Sequence, residues 1–222
     1  MRVIRSVRTS AMLLLALSVG AGAGGGAGCK STPKQNLALN EAARHGSLEE
    51  VQRAHASGAD VNTVGESNNT PLHEAAIFDN VQAAQFLLES GANANAVDED
   101  RDTPLHMAAD KGSRRVTQVL IQRGATIDAI NEDGRTPLHL AVDSGDLEIA
   151  RMLVQAGADA NRRDNDGLSP LGLARKDNHP AIVQLLEGGA TSPGAGNPMA
   201  PSAPAAPGRP AAPARPPAAA PP

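Results

Sequence analysis

The tetrapeptide Thr-Pro-Leu-His occurs three times, beginning at Thr70, Thr103 and Thr136, each copy 33 residues after the last. A worn copy, Ser169-Pro170-Leu171-Gly172, follows at the same step. One step before the first lies Leu37-Ala38-Leu39-Asn40, leading into Glu41-Ala42-Ala43 in register with Glu74-Ala75-Ala76. A period of this length marks a stacked repeat array, in which each unit covers the apolar face of its neighbour. Such a chain offers a long surface and does not gather catalytic groups in a pocket.

The unit from Asn131 to Asp159 shows the local logic. Asp133-Gly134 is a tight-turn dipeptide. Thr136 suits a helix cap, and Pro137 suits the first helical position, where its missing N–H would be unpaired anyway. Leu138, Ala141 and Val142 recur at helical spacing, and Ser144-Gly145 stops the run. Asp146 can cap a second helix carrying Leu147, Ile149, Ala150, Leu153 and Val154, and Gly157 ends it. Each unit therefore reads turn, helix, turn, helix. The core is aliphatic and Ala-rich, with no Trp or Tyr and only Phe78 and Phe86.

These residues resemble the ankyrin repeat: T-P-L-H-x-A, then G-x-L-E-I, then G-A-D-x-N, over residues 37–190. The resemblance implies an all-α repeat solenoid of five stacked helix-turn-helix units, starting near 37, 70, 103, 136 and 169, with β-turn fingers along one edge. It implies binding of another protein without catalysis, cofactor or metal. The first unit, with its charged Glu49-Glu50 helix, and the fifth, with Gly172 in place of His, read as caps. The last helix is expected from about Pro180 to Glu187. The turn-tip glycine of Gly134 and Gly167 is Asn68 in one unit and Arg101 in another. Arg is costly in a left-handed turn, so the finger holding Arg101 is expected to be the least regular.

Both ends fall outside the repeats. Arg2, Arg5 and Arg8 precede a short apolar run from Ala11 to Val19 and a Gly/Ala stretch, so residues 1–28 read as an export signal. The run is too short to span a bilayer, which takes about 20 residues. Cys29, the sole cysteine, follows Gly26-Ala27-Gly28 and resembles the lipid acceptor of a bacterial lipobox, although Gly26 stands where an aliphatic residue is usual. The alternative is cleavage after Ala21-Gly22-Ala23, leaving a soluble periplasmic protein. With Lys30 next, the lipoprotein resemblance implies outer-membrane sorting and a membrane contact through the N-terminal lipid. Residues 29–36 read as a linker. Residues 191–222, rich in Pro and Ala, are expected to be disordered and partly polyproline II.

Residues 37–190 hold all 24 acidic residues against 13 basic, a balance of −11. That argues against nucleic acid, which needs a basic face, and suits a partner with a basic surface. His73, His106 and His139 sit one repeat apart, roughly 8–10 Å on stacked helices, too far to share a metal bound at about 2 Å. The resemblance implies a structural role for them. Candidate partner contacts are the residues at the ends of the first helices, Ile77, Phe78, Asp110, Lys111, Asp143 and Ser144, and the finger residues Glu99, Asp100, Asp102, Glu132, Asp133 and Arg135. Ile77-Phe78 is an apolar pair where polar residues are usual; it either anchors a partner or folds over its own second helix. The function read here is a non-catalytic protein-binding module of the bacterial envelope. Alternatives are an immunity or inhibitor-type protein neutralising an enzyme or toxin, or a support protein for a periplasmic stress enzyme.

Overall fold

A computed structural model describes residues 32–189. Residues 1–28, read above as an export signal, Cys29 and residues 191–222 lie outside the described residues. The described chain holds ten α-helices in five pairs: α1 (Pro33–His45) with α2 (Leu48–Ala56), α3 (Pro71–Ile77) with α4 (Val81–Glu89), α5 (Pro104–Lys111) with α6 (Arg114–Gln122), α7 (Pro137–Asp143) with α8 (Leu147–Gln155), and α9 (Pro170–Lys176) with α10 (Pro180–Gly189). The remaining element is a 3₁₀ turn, Glu66–Asn68. First helices pack on first helices, and second helices on second helices, from one end of the stack to the other. No described helix is long and apolar enough to cross a membrane.

The repeat explains this layering. Leu39, Leu72, Leu105 and Leu138 occupy one position of successive first helices, and all are fully buried. Leu87, Leu120, Leu153 and Leu186 do the same for the second helices. Each such side chain is worth about 2 kcal/mol when taken out of water, and stacking is what removes it. Between the two rows, Ala75, Ala108, Ala141 and Ala174 are buried without a bulky side chain, which lets neighbouring first helices approach closely. Pro occupies the first turn of α1, α3, α5, α7 and α9. Asp146 caps α8 as its position suggested, accepting from the N–H groups of Glu148 and Ile149.

Two boundaries differ from the sequence expectation. The first unit begins before Leu37: Thr32 and Gln35 form a reciprocal cap, with Thr32 N–H donating to Gln35 Oε1 at 2.7 Å, so Pro33–Asn36 are helix and not linker. Thr32-Pro33 does here what Thr-Pro does five residues later in the other units. At the far end, α10 runs on to Gly189, because its apolar face, Ile182 and Leu186, continues to bury against the stack.

A polar seam also joins the units beside the second helices. The Asn62 side chain accepts from Asn93 N–H and donates to the Gly91 carbonyl; Asn95 accepts from Thr126 N–H, and Asp128 from Asp159 N–H. Asn36 on the extended α1 accepts from Asp60 N–H and so starts the seam. These bonds explain the Asn/Asp that ends the first three G-A-D-x-N segments.

Candidate partner-binding surface

Fingers at 98–102, 131–135 and 164–168 are built alike. The first residue, Asp98, Asn131 or Asp164, is buried, and its Oδ1 accepts from the N–H groups two and four residues on. Its own N–H donates to the carbonyl of the fifth residue, closing the turn. Arg101, Gly134 and Gly167 share a left-handed conformation, with φ of 63°, 71° and 77°. The Arg101 finger is therefore regular, contrary to the sequence expectation: the Asp98 side chain makes enough turn bonds to hold a residue with a Cβ at positive φ. The irregular finger is the preceding one. Gly65, in register with Asp98, has no side chain to organise the turn, and residues 66–68 form the 3₁₀ turn with Ser67 and Asn68 both at positive φ.

Each motif histidine ties its own helix to the finger that follows. His73, His106 and His139 are fully buried. Their Nδ1 atoms accept from the N–H of Thr70, Thr103 and Thr136 at 3.0–3.1 Å. Nε2 then carries the proton and donates to the carbonyls of Asp102, Arg135 and Leu168 at 3.0, 3.0 and 3.2 Å. Burial lowers the pKa of all three, that of His106 to about 4. The histidines are thus structural, and their ring nitrogens are fully engaged.

The fingertips join into a continuous edge. Glu99 N–H donates to the Ser67 carbonyl, Glu132 N–H to Asp100, and Asn165 N–H to Asp133. Glu99, Asp100, Glu132 and Asp133 are exposed along it. Asp102 and Arg135 are not at the tips. Asp102 accepts from Asn131 Nδ2 at 2.9 Å, and burial, reinforced by the neighbouring Asp98, Asp100 and Asp110, raises its pKa to about 6. Arg135 lies between Asp143 at 3.6 Å and Asp164 at 3.8 Å.

At the ends of the first helices, Phe78 is 45% exposed. It does not fold over its own second helix: its ring meets His45 of the preceding unit edge-on, with centroids 4.3 Å apart. Ile77 beside it is half-buried. Phe78 and His45 border an open cleft that reaches Asp79 and Arg115. Asp79, at φ 50°, turns back to accept from Val116 N–H and pairs with Arg115 at 2.9 Å, capping α6 from the preceding unit. Asp110 and Lys111 are exposed and paired with each other at 2.8 Å. Asp143 is exposed, while the Ser144 hydroxyl donates to the Ala141 carbonyl.

Sequence reasoning missed one set of residues. Val64, Val97 and Ile130 hold the same position on successive fingers and are 56%, 46% and 39% exposed. Their spacing of 33 residues was the signal that could have found them. Arg163 takes the position on the fourth finger.

Stacked helix pairs, joined finger to finger and carrying an exposed tip row, define a solenoid repeat protein. The match to known families is specific: the model of ankyrin repeats in three copies matches residues 11–98, 39–131, 90–164 and 127–192. The chain belongs to the ankyrin-repeat family, whose repeats are protein-interaction modules. No curated protein matches it.

Proposed function

We propose that this chain is a non-catalytic protein-binding module of the bacterial cell envelope, exported by residues 1–28 and held at a membrane by lipid on Cys29. The observation that carries the binding reading is the fingertip edge. Its backbone is locked by bonds from unit to unit, yet it exposes a continuous acidic and apolar side-chain row. A rigid surface of this kind binds a partner without the cost of ordering loops. The acidic balance favours a partner with a basic surface. Phe78, half-exposed beside the His45 cleft, is the best-placed anchor on the first-helix side.

The experiment is cross-linking of the chain in its own envelope beside Phe78→Glu and Glu99→Lys/Glu132→Lys versions. One protein captured by the native chain and lost with either variant supports the reading and locates the face; equal capture by all versions sinks both faces. Cys29→Ala should release the chain from membranes, and unchanged retention would refute the lipid anchor. An immunity or inhibitor-type role differs by stoichiometric loss of the captured partner's activity. A support role for a periplasmic stress enzyme differs by loss of that activity on deletion.

A further inference from the structure

The open cleft beside Phe78 lies at the far end of the first helices from the fingers. The fingers lead into the N-termini of α5, α7 and α9, whereas His45 ends α1 and Phe78 caps the C-terminus of α3. Three units meet at the cleft, and each supplies one side chain to it: Arg44 the first, Phe78 the second and Arg115 the third.

Two acids of the second unit set the arginines in place. Glu74 accepts from Nε and Nη2 of Arg44, at 2.8 and 3.2 Å. Asp79 accepts from Arg115 Nε at 2.9 Å, and its backbone carbonyl accepts from Arg115 Nη2 at 3.2 Å. Both guanidinium groups are held by the same edge. Nη1 of each makes no hydrogen bond among the described residues. The acids, by contrast, are consumed. The Glu74 side chain is 5% exposed beneath Arg44 at 42%, and that of Asp79 is 30% exposed beneath Arg115 at 72%. The other Asp79 oxygen accepts from Val116 N–H. Charge presented to solvent here is therefore positive, in a domain whose overall balance is −11. Between the two cations lies the half-exposed Phe78 ring, edge-on to His45. Asn80 ties the floor together, donating to the carbonyls of Ala43 and Gly46 at 3.2 and 3.1 Å.

We propose that this cleft binds a short extended segment of a partner protein carrying an acid, an apolar residue and an acid at alternate positions. Alternate side chains of an extended chain share one face, about 7 Å apart, so the three meet Arg44, Phe78 and Arg115 in stack order. Each guanidinium offers its remaining edge to a carboxylate, a charge-assisted pair suited to arginine, and the apolar residue covers Phe78. The proposal rests on the reading of the chain as a protein-binding module and names the chemistry that its Phe78 side selects. It gives the stack two edges of opposite preference, acidic fingertips for a basic surface and this cleft for an acidic segment.

The test titrates the full-length ¹⁵N-labelled chain with acetyl-Ser-Glu-Ser-Leu-Ser-Glu-Ser-amide and follows the amide shifts. The expected result is saturable change at His45, Phe78, Asp79 and Val116, with Glu99 and Glu132 unmoved. A control peptide with Lys at both Glu positions should bind at least about fivefold more weakly. The acidic peptide should weaken similarly on Phe78→Ser and on Arg115→Gln, where Asp79 keeps its bond from Val116 N–H. Arg44→Gln should act alike but leaves buried Glu74 unpaired, so the other two variants decide if it does not fold. Equal binding of the Lys peptide, shifts at the fingertips in place of the cleft, or no shift at millimolar peptide would overturn the proposal. Cross-linking in the envelope tests the binding reading separately. A partner lost with Phe78→Glu while the peptide leaves the cleft unmoved sinks the acidic occupant alone. Peptide bound in the cleft of a chain that captures no protein sinks the binding reading alone.

Discussion

The finger at 65–69 and the finger at 98–102 have the same length and place in the repeat, yet only the second is regular. Two of the differences between them bear on the turn. Gly65 replaces the buried Asp98 whose Oδ1 holds the turn, and Asn40 replaces the histidine that reaches the following finger. The two are physically linked: a Cβ on Gly65 would come within 2.6 Å of Asn40 Nδ2. Asn40 fills the space an aspartate would need, and Asn40 Oδ1 is left without a partner. Finger geometry is therefore set jointly by the motif histidine and the first finger residue. One without the other leaves either a clash or an unbonded turn.

The largest test of that comparison is pH. The folded pKa of His106 is about 4, and those of His73 and His139 are also lowered. Unfolded chain binds protons first, so their stabilisation is complete above about pH 6.5 and is lost as pH falls toward 4. His106 alone accounts for about 3 kcal/mol by pH 4. Asp102, raised to about 6, acts oppositely: its penalty is fully present above pH 6 and is relieved as pH falls toward the ordinary carboxylate value. Asp98, also raised by burial, acts in the same sense as Asp102; with three lowered histidines against these two carboxylates, urea midpoints should drop between pH 6.5 and 4. Hydrogen exchange at fingers 98–102, 131–135 and 164–168 should accelerate more than at 65–69, which has no histidine. Equal acceleration everywhere would break the comparison.

Next in size, Asn131→Gly should convert a regular finger into one like 65–69. It removes two turn bonds and the donor to Asp102, a loss of about 2 kcal/mol in urea unfolding. The reciprocal change sharpens the point. Gly65→Asp alone should destabilise by about 1 kcal/mol through the clash with Asn40, whereas Asn40→His/Gly65→Asp should exceed the native stability. Additive effects in that double-mutant cycle would sink the coupling. The smallest effect is expected from Arg101→Gly. Placing glycine at φ 63° should stabilise by less than about 1 kcal/mol, raising the melting temperature slightly without altering the finger.

The repeat period made the helix pairs, the Thr-Pro caps and the leucine rows legible, because each rests on local spacing. What stayed hidden depends on contacts between units. Asp98 and Asp164 are buried turn organisers, a role that their charge alone does not signal. Arg101 read as an irregularity because residue type alone does not show the Asp98 side-chain bonds that hold the turn. Arg135 read as a fingertip but pairs with acids on both sides. Val64, Val97 and Ile130 carry no local signal of exposure; only the stack shows that they remain partly uncovered. Phe78 was the intermediate case: exposure was one of two readings left open, and its His45 neighbour comes from another unit.

The histidine relay gives the stack a direction. Each unit holds the finger of the unit after it and receives nothing from its successor through this bond. Cutting out 33 residues in phase, from His73 to just before His106, would hand each remaining histidine an intact acceptor and shorten the array by one step. An excision that is not a whole number of 33-residue periods would shift the register and leave one finger without its donor and one donor without its finger. Gly172 in α9 has no side chain to pass the relay on. Length can therefore change by whole units while the joints stay the same, and the sequence carries its own stop.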